Sequence, residues 1–152
     1  MKLSLRGGYA LRAMLVLGKN YGDGVIQIHS IATQQNIPRS FLEQILNDLK
    51  SGGFVESRRG IAGGYRLARP PEMIPLSAVV RHIEGALAPV HCASQNFYKP
   101  CTCPSVQQCA IRSVMKEVRD AMVTILDKVS VAELCARDHD LQVHPYTADY
   151  VI

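Results

Sequence analysis

The sequence contains no tryptophan and only 6% aromatic residues, and it has no long uninterrupted apolar run. A membrane-spanning helix needs about 18 consecutive apolar residues, but the stretch 5–17 is broken by Arg6, Gly7, Gly8 and Arg12. The same interruptions exclude a secretory signal peptide. These absences predict a cytoplasmic protein with no membrane partner, and a hydrophobic content of 47% in 152 residues is enough for a packed core.

Cysteine is absent from the first 91 residues, and the chain contains five cysteines in all. An odd number in a chain without a leader argues against a disulfide framework. Four of the five, Cys92, Cys101, Cys103 and Cys109, lie within 18 residues. A local group of this kind in a cytosolic protein indicates a metal, an iron–sulfur cluster or a redox thiol.

Acidic residues are scarce in the first part of the chain. Residues 1–69 carry ten Lys or Arg against four Asp or Glu, whereas residues 70–152 carry seven against nine. A basic half of this kind attracts polyanions, although charge alone is equally consistent with a solvated surface.

Residues 1–85 are predicted to be mostly α-helical with one β-hairpin. Apolar periodicity, the breaks at Asn36-Ile37-Pro38 and Ser51-Gly52-Gly53, and the glycine-rich segment 60–64 define the elements. Helices are expected over residues 3–19, 30–35, 39–50 and 76–84, a short strand over 25–28, and hairpin strands over 54–58 and 65–68. Two short helices around a break, followed by a basic hairpin, predict a winged helix-turn-helix domain over residues 1–85.

The helix over 39–50 has two chemically distinct faces. Its apolar side is predicted to be core and consists of Phe41, Leu42, Ile45, Leu46 and Leu49. Its polar side carries side chains that can contact base edges and phosphates of double-stranded DNA, namely Arg39, Ser40, Glu43, Asn47 and Lys50. Glu43 has a second possible role, since Ser40-Phe41-Leu42-Glu43 also fits a capping box that would turn its carboxylate to the backbone.

The predicted hairpin places Arg58, Arg59 and Arg66 around a glycine-rich tip. Arginine is favoured in narrow minor grooves, so these residues are further DNA-contact candidates. A phosphate-binding loop is excluded, because a strand-like segment and not a helix follows the glycines.

The cysteines of the loop over residues 86–108, together with Cys109 at the start of the next helix, are the candidate metal ligands. Thiolates are the usual ligands of iron–sulfur clusters, whereas structural zinc more often has two close cysteine pairs. The irregular spacing favours a cluster and leaves zinc and redox thiols open. Cys135 is expected to be a small core residue, and His91 an ordinary polar side chain.

Residues 109–128 are predicted to form a long helix with an apolar seam, followed by a capping box at Ser130 and a short helix ending near residue 135. The seam residues are spaced 3, 4, 4, 3 and 4 apart, as in coiled coils: Ile111, Val114, Val118, Met122, Ile125 and Val129. The seam predicts a homodimer built on residues 109–135, and residues 136–152 are expected to be a C-terminal tail.

Several segments resemble the IscR/NsrR-type (Rrf-two family) winged-helix transcriptional regulators over residues 1–135. The matching segments are Met1-Lys2-Leu3-Ser4, Tyr9-Ala10-Leu11-Arg12-Ala13-Met14, Phe41-Leu42-Glu43-Gln44-Ile45-Leu46, Ser57-Arg58-Arg59-Gly60 and Gly63-Gly64-Tyr65-Arg66-Leu67. The resemblance implies a homodimer joined by the long helix, and an iron–sulfur cluster in the loop that controls DNA binding.

By residue, the resemblance implies base recognition by Glu43, a wing contact by Arg59, and cluster ligation by Cys92, Cys103 and Cys109. The chain departs from the family pattern in four ways, the first being a longer gap between Cys92 and Cys103. Arg112 stands where an IscR-like protein has a ligand histidine, Gly8 stands where some relatives have an acidic ligand, and Cys101 is additional. Cys101 is therefore the candidate for the fourth ligand, and the choice between a 2Fe-2S and a 4Fe-4S cluster stays open.

These observations predict a dimeric transcriptional repressor that senses iron–sulfur, redox or nitric-oxide status. One alternative is a cluster-free or thiol-based regulator of sulfur or cysteine metabolism. A cysteine-dependent redox enzyme is the alternative of another class. The sequence argues against an enzyme because it contains no C-x-x-C pair and no acid–base set beside a pocket motif.

Overall fold

The first helix, α1 (Leu5–Lys19), begins where the Ser4 hydroxyl accepts a hydrogen bond from the Gly7 amide. The computed structural model describes residues 3–145. The further elements are α2 (Ile28–Gln35), α3 (Arg39–Ser51), β1 (Val55–Arg58), β2 (Gly64–Leu67), α4 (Leu76–Glu84), α5 (Ala110–Lys128) and α6 (Val131–Val143). Short 3₁₀ turns lie at Pro71–Met73 and His91–Ala93. The predicted mostly α architecture with a small hairpin is therefore confirmed.

Helices α2 and α3 form the helix-turn-helix. Asn36 ends α2 in the left-handed conformation, with φ 50°, which asparagine tolerates better than most residues. Ile37 then turns into the core, and Pro38 precedes the first residue of α3. The apolar face of α3 is buried through Leu42, Ile45, Leu46 and Leu49, which fixes the rotation of the helix and turns its opposite face to solvent.

The prediction that Phe41 belongs to the core is wrong. Its side chain is 53% exposed, whereas the adjacent Leu42 is fully buried. Successive residues on a helix are about 100° apart, so Phe41 lies at the edge of the apolar face and not on it.

Strands β1 and β2 pair antiparallel, with Val55 opposite Leu67 and Ser57 opposite Tyr65. The short strand predicted over 25–28 is a single bridge, in which Ile26 exchanges two backbone hydrogen bonds of 2.8 Å with Tyr65. Val55 and Leu67 are buried against the helices, so one end of the hairpin is anchored in the core and the other projects as a wing.

Helix α6 is longer than predicted and returns to the first helix. The residues predicted as tail are helical from 136 to 143, and residues 146–152 lie outside the described part of the chain. The sequence predicts too early an end for α6 because the last two turns of this helix lack an apolar stripe. Polar contacts support it instead, including Arg137 to Glu133 (3.0 Å) and Lys19 to Asp138 (2.8 Å). A Cβ at Gly18 would lie 2.6 Å from Cγ1 of Val131, so glycine is needed where α1 and α6 meet.

Helix α5 ends at Lys128, and the predicted seam residue Val129 is buried within its own chain at 7% exposure. The reason is local pairing. The amide of Leu76 donates to the Val129 carbonyl (2.8 Å), and the amide of Val131 donates to the Ile74 carbonyl (2.9 Å). These bonds pull the junction of α5 and α6 into the core, so Val129 is not available to a partner chain.

Candidate DNA interface and cysteine loop

The polar face of α3 is turned to solvent along its whole length. All five side chains predicted to contact DNA on this helix are exposed: Arg39, Ser40, Glu43, Asn47 and Lys50. The helix therefore presents cationic groups, a carboxylate and an amide together, which is the mixture that reads base edges in a major groove.

The structure does not form the capping box that would occupy Glu43. Helix α3 starts at Arg39, and its cap residue, Pro38, provides no side-chain hydrogen bond. Ser40 consequently lies inside the first turn and not at the cap. Within residues 3–145, the Glu43 carboxylate takes part in none of the hydrogen bonds or ion pairs, so it is free to meet another molecule.

The wing lies beside the end of α3. Lys50 Nζ donates a 2.7 Å hydrogen bond to Ser57 Oγ, which joins the end of α3 to β1. Arg58 and Arg59 are exposed near the tip, and Arg66 is exposed but forms an ion pair with Glu56. The structure thus joins the end of α3 to the wing through Lys50 and Ser57. Side chains alternate along a strand, so Arg58 and Arg66 lie on the hairpin face opposite Ser57.

Sequence reasoning missed Gln27, which precedes α2. Its Nε2 donates a 3.3 Å hydrogen bond to the carbonyl of Ile61 and so fixes the wing tip against the helix-turn-helix. A glutamine before a helix has no distinctive spacing, so only the fold reveals this contact.

The cysteine loop is held at both ends by helical structure. Cys92 lies in the 3₁₀ turn His91–Ala93, and Cys109 caps α5, its Sγ accepting a 3.4 Å hydrogen bond from the Arg112 amide. Cys92, Cys101 and Cys109 are partly buried, and Cys103 is exposed. His91 is also exposed, so nothing in its placement distinguishes it as a ligand.

The thiols of the loop perturb one another in pairs. Hydrogen bonds from Cys103 lower the pKa of Cys101. The thiols of Cys101 and Cys109 raise the pKa of Cys103 to about 11. Partial burial and then the neighbouring Cys101 raise the pKa of Cys92.

An iron–sulfur cluster agrees with this loop in the type and number of its donors, because four thiols are present. Across residues 3–145, however, no three His, Cys, Asp or Glu side chains are gathered around a single point that could hold one metal ion. Arg112 cannot replace the missing family histidine as a ligand, since a guanidinium has donors only. The donor chemistry thus fits a cluster, while the mutual influence of neighbouring thiols fits a thiol-based site as well.

Two arginines of α5 hold the turn that carries Cys92. Arg112 Nε donates a 2.8 Å hydrogen bond to the Cys92 carbonyl, and Arg119 Nη1 donates to the Ala93 carbonyl. Arg119 is only 7% exposed and is also bonded to Asp120 Oδ1. Sequence reasoning missed Arg119, although its spacing of seven residues from Arg112 places both on one helix face.

The remaining seam residues of α5 face outward. Ile111, Val114, Val118 and Ile125 are exposed, and Met122 is half-buried.

Cys135 lies outside the loop, where it packs against the core and burial raises the pKa of its thiol. Among the described residues, no helix combines the length and apolarity needed to cross a membrane.

Residues 3–137 match the protein family Rrf2, described as iron-dependent transcriptional regulator. The HTH-type transcriptional regulator CymR of Bacillus subtilis is 32% identical over 136 residues, covering 90% of this chain and 91% of that protein. The solved structure of CymR, the global cysteine regulator of B. subtilis, has a TM-score of 0.76 at 31% identity and covers 90% of this chain and 98% of that one. The structure of T. potens IscR has a TM-score of 0.74 at 29% identity and covers 99% and 97%.

These similarities confirm the predicted family resemblance and the winged-helix fold. The relatives are named as transcriptional regulators, which confirms the expectation that this chain is not an enzyme.

Proposed function

Since this chain belongs to the Rrf2 family of transcriptional regulators, we propose that it is a homodimeric repressor whose operator binding is controlled by its cysteine loop. The observation that carries the proposal is the solvent-exposed polar face of α3, with an arginine-bearing wing joined to the end of that helix by Lys50 and Ser57. Residues 1–85, with α6 packed on α1, form the reading unit. Residues 86–108 form the sensor loop, and α5 joins the two copies.

In this proposal α3 lies in the major groove and the wing in the adjacent minor groove of DNA. Glu43 accepts a hydrogen bond from cytosine N4, and Asn47 contacts base edges. Arg39 and Lys50 neutralise phosphates, which sets affinity and position more than sequence choice. Arg59 enters the minor groove, supported by Arg58, while Arg66, paired with Glu56, lies further back on β2.

Replacing Arg59 with alanine tests the wing contact. We expect operator affinity to fall by roughly 1–3 kcal/mol if Arg59 makes a good groove contact. Fluorescence anisotropy at matched salt measures the change. Arg137→Ala is the control, because Arg137 is an exposed arginine on α6 that pairs with Glu133 away from the wing. Equal affinity for the Arg59 variant and the control would exclude a groove contact by Arg59.

Replacing Glu43 with alanine tests base reading by α3. Because its carboxylate does not cap the helix, we expect the melting temperature to stay close to that of the wild type while the preference at one base pair relaxes. Binding to operators changed one base pair at a time measures the preference. A stability loss of about 0.5–2 kcal/mol with unchanged preference would instead assign Glu43 a capping role.

Two copies are proposed to join through the outward apolar face of α5. Ile111, Val114, Val118 and Ile125 would otherwise remain in water, and a matching face on a second copy would bury them around a two-fold axis. A two-fold dimer reads two half-sites, so the operator is expected to be pseudo-palindromic.

The loop is proposed to hold an iron–sulfur cluster through Cys92, Cys103 and Cys109, with Cys101 as the fourth thiol. A bound cluster would supply a centre that responds to iron supply, oxidants or nitric oxide. The chain's own contribution is mechanical. Arg112 and Arg119 tie the Cys92 turn to α5, so a change in the loop is transmitted to the helix that spaces the two reading units.

A cluster-free, thiol-based regulator is the second candidate. It is supported by the pairwise influence of Cys101, Cys103 and Cys109 on one another's pKa and by the similarity to CymR, described as a cysteine regulator. In this case oxidation or modification of neighbouring thiols would move the same turn through the same two arginines.

A further inference from the structure

The tip of the wing carries an apolar side chain that the proposed arginine contacts do not use. Ile61 is 100% exposed, more than any other large hydrophobic residue in the described part of the chain. A single exposed isoleucine is ordinary on a protein surface, so exposure alone does not indicate a role for Ile61, and its position matters more. Ile61 lies in the loop that joins β1 to β2, at the tip of the hairpin.

The backbone around Ile61 is held in one shape. The Gly63 amide donates a 3.0 Å hydrogen bond to the Gly60 carbonyl, and Gln27 Nε2 donates to the Ile61 carbonyl (3.3 Å). A Cβ at Gly63 would lie 2.3 Å from the carbonyl oxygen of Arg58, so the turn requires glycine there. Since a β-branched side chain has few rotamers, the tip presents Ile61 as a stiff apolar projection.

The charges beside the tip select a polyanion as its partner. Arg58 and Arg59 directly precede Gly60 and Ile61, and both arginines are exposed. The nearest carboxylate of the hairpin, on Glu56, is paired with Arg66. A cationic flank around one rigid apolar group is the combination with which minor-groove proteins push a side chain between base pairs while arginines hold the backbone.

We propose that Ile61 wedges between two base pairs of the minor groove, partly unstacks them and kinks the operator. The inference rests on the proposed function, because it requires the wing to enter the minor groove. Pyrimidine–purine steps such as TA unstack most easily, so Ile61 selects such a step beneath the wing without any hydrogen bond to it.

The test uses a duplex carrying a site selected by the wild-type protein from random DNA, with a fluorescent dye at each end. Energy transfer between the dyes at saturating protein reports the bend, and anisotropy reports affinity for versions with TA or AA beneath the wing. We expect the wild type to bend the duplex and to prefer TA by roughly fivefold or more. Ile61→Ala is expected to lose both the bend and the preference, whereas Ile61→Leu keeps them.

Salt dependence separates this role from that of the arginines. Ile61→Ala should keep the wild-type slope of affinity against salt, because no cationic contact is removed, whereas Arg59→Ala removes a positive charge and should make that slope shallower. A duplex that the wild type leaves straight, or an Ile61→Ala protein that bends DNA and prefers TA like the wild type, overturns the wedge. If Arg59→Ala is also without effect, the proposed wing contact fails with it. If only Ile61→Ala is without effect, the wedge alone fails.

Discussion

The double substitution Val118→Glu and Met122→Glu is expected to give a folded monomer that no longer binds its operator. Both residues lie one helical turn apart on the outward face of α5, and a two-fold axis would bring four added carboxylates together in an apolar interface. Linking two reading units raises avidity by about 10²–10⁴-fold, so separation should lower operator affinity by a similar factor. Light scattering measures the mass, and anisotropy measures the affinity.

The matched control is Ser113→Glu with Thr124→Glu, which adds the same charge at exposed positions on another side of α5. The control should remain dimeric and bind DNA with only the modest loss that two extra negative charges cause. Circular dichroism should show native helix content in both variants. A Val118 and Met122 variant that stays dimeric would show that this face packs within its own chain.

The second large effect that we expect is loss of the iron–sulfur cluster when a ligating cysteine is replaced. After anaerobic reconstitution with iron and sulfide, the wild type should be brown, and the single changes Cys92→Ala, Cys103→Ala and Cys109→Ala should each abolish the visible absorption. Cys103 and Cys109 keep the family's gap of five residues, and Cys92 and Cys109 lie at the two ends of the loop. Iron and sulfide analysis quantifies the loss, and operator affinity before and after reconstitution shows whether the loop is coupled to DNA binding.

Cys135→Ala is the control, because Cys135 packs beside α1 with its Sγ directed to the Leu15 carbonyl. It should keep full absorption. Loss of absorption in Cys101→Ala would assign the fourth ligand, and retention would place that ligand elsewhere. A wild type that stays colourless would contradict the cluster. If the chain is instead a thiol-based regulator, we expect an oxidant to change its operator affinity. Alkylation should then count fewer free thiols in the oxidised protein than in the reduced protein.

The reading unit could be predicted closely because its signals are local. Helix α4 has the predicted bounds, Leu76–Glu84, and Ser130 caps α6 through a 3.2 Å hydrogen bond from the Glu133 amide. In each case the residues that define the element are neighbours in the chain. Apolar periodicity likewise predicted the buried face of α3, except at its edge, where Phe41 is exposed.

The features that the sequence did not reveal depend on contacts between distant segments. Val129 fits the periodicity of the α5 seam, yet backbone bonds to residues 74–76 bury it. Arg119 looks like one more charged residue on a solvated helix until the Cys92 turn packs over it. The cysteines could be recognised as a group from spacing, but the anchoring of the Cys92 turn by Arg112 and Arg119 of α5 could not.

Selection from random DNA with the wild-type dimer tests the central claim most directly. After several rounds of binding and amplification, sequencing of the retained DNA reveals any common site. We expect enrichment of one pseudo-palindromic site whose half-sites are spaced by about one turn of DNA, or a multiple of it, with affinity that falls steeply as salt rises. Retained DNA without any common sequence, or with a single asymmetric site bound by one copy, would contradict this expectation.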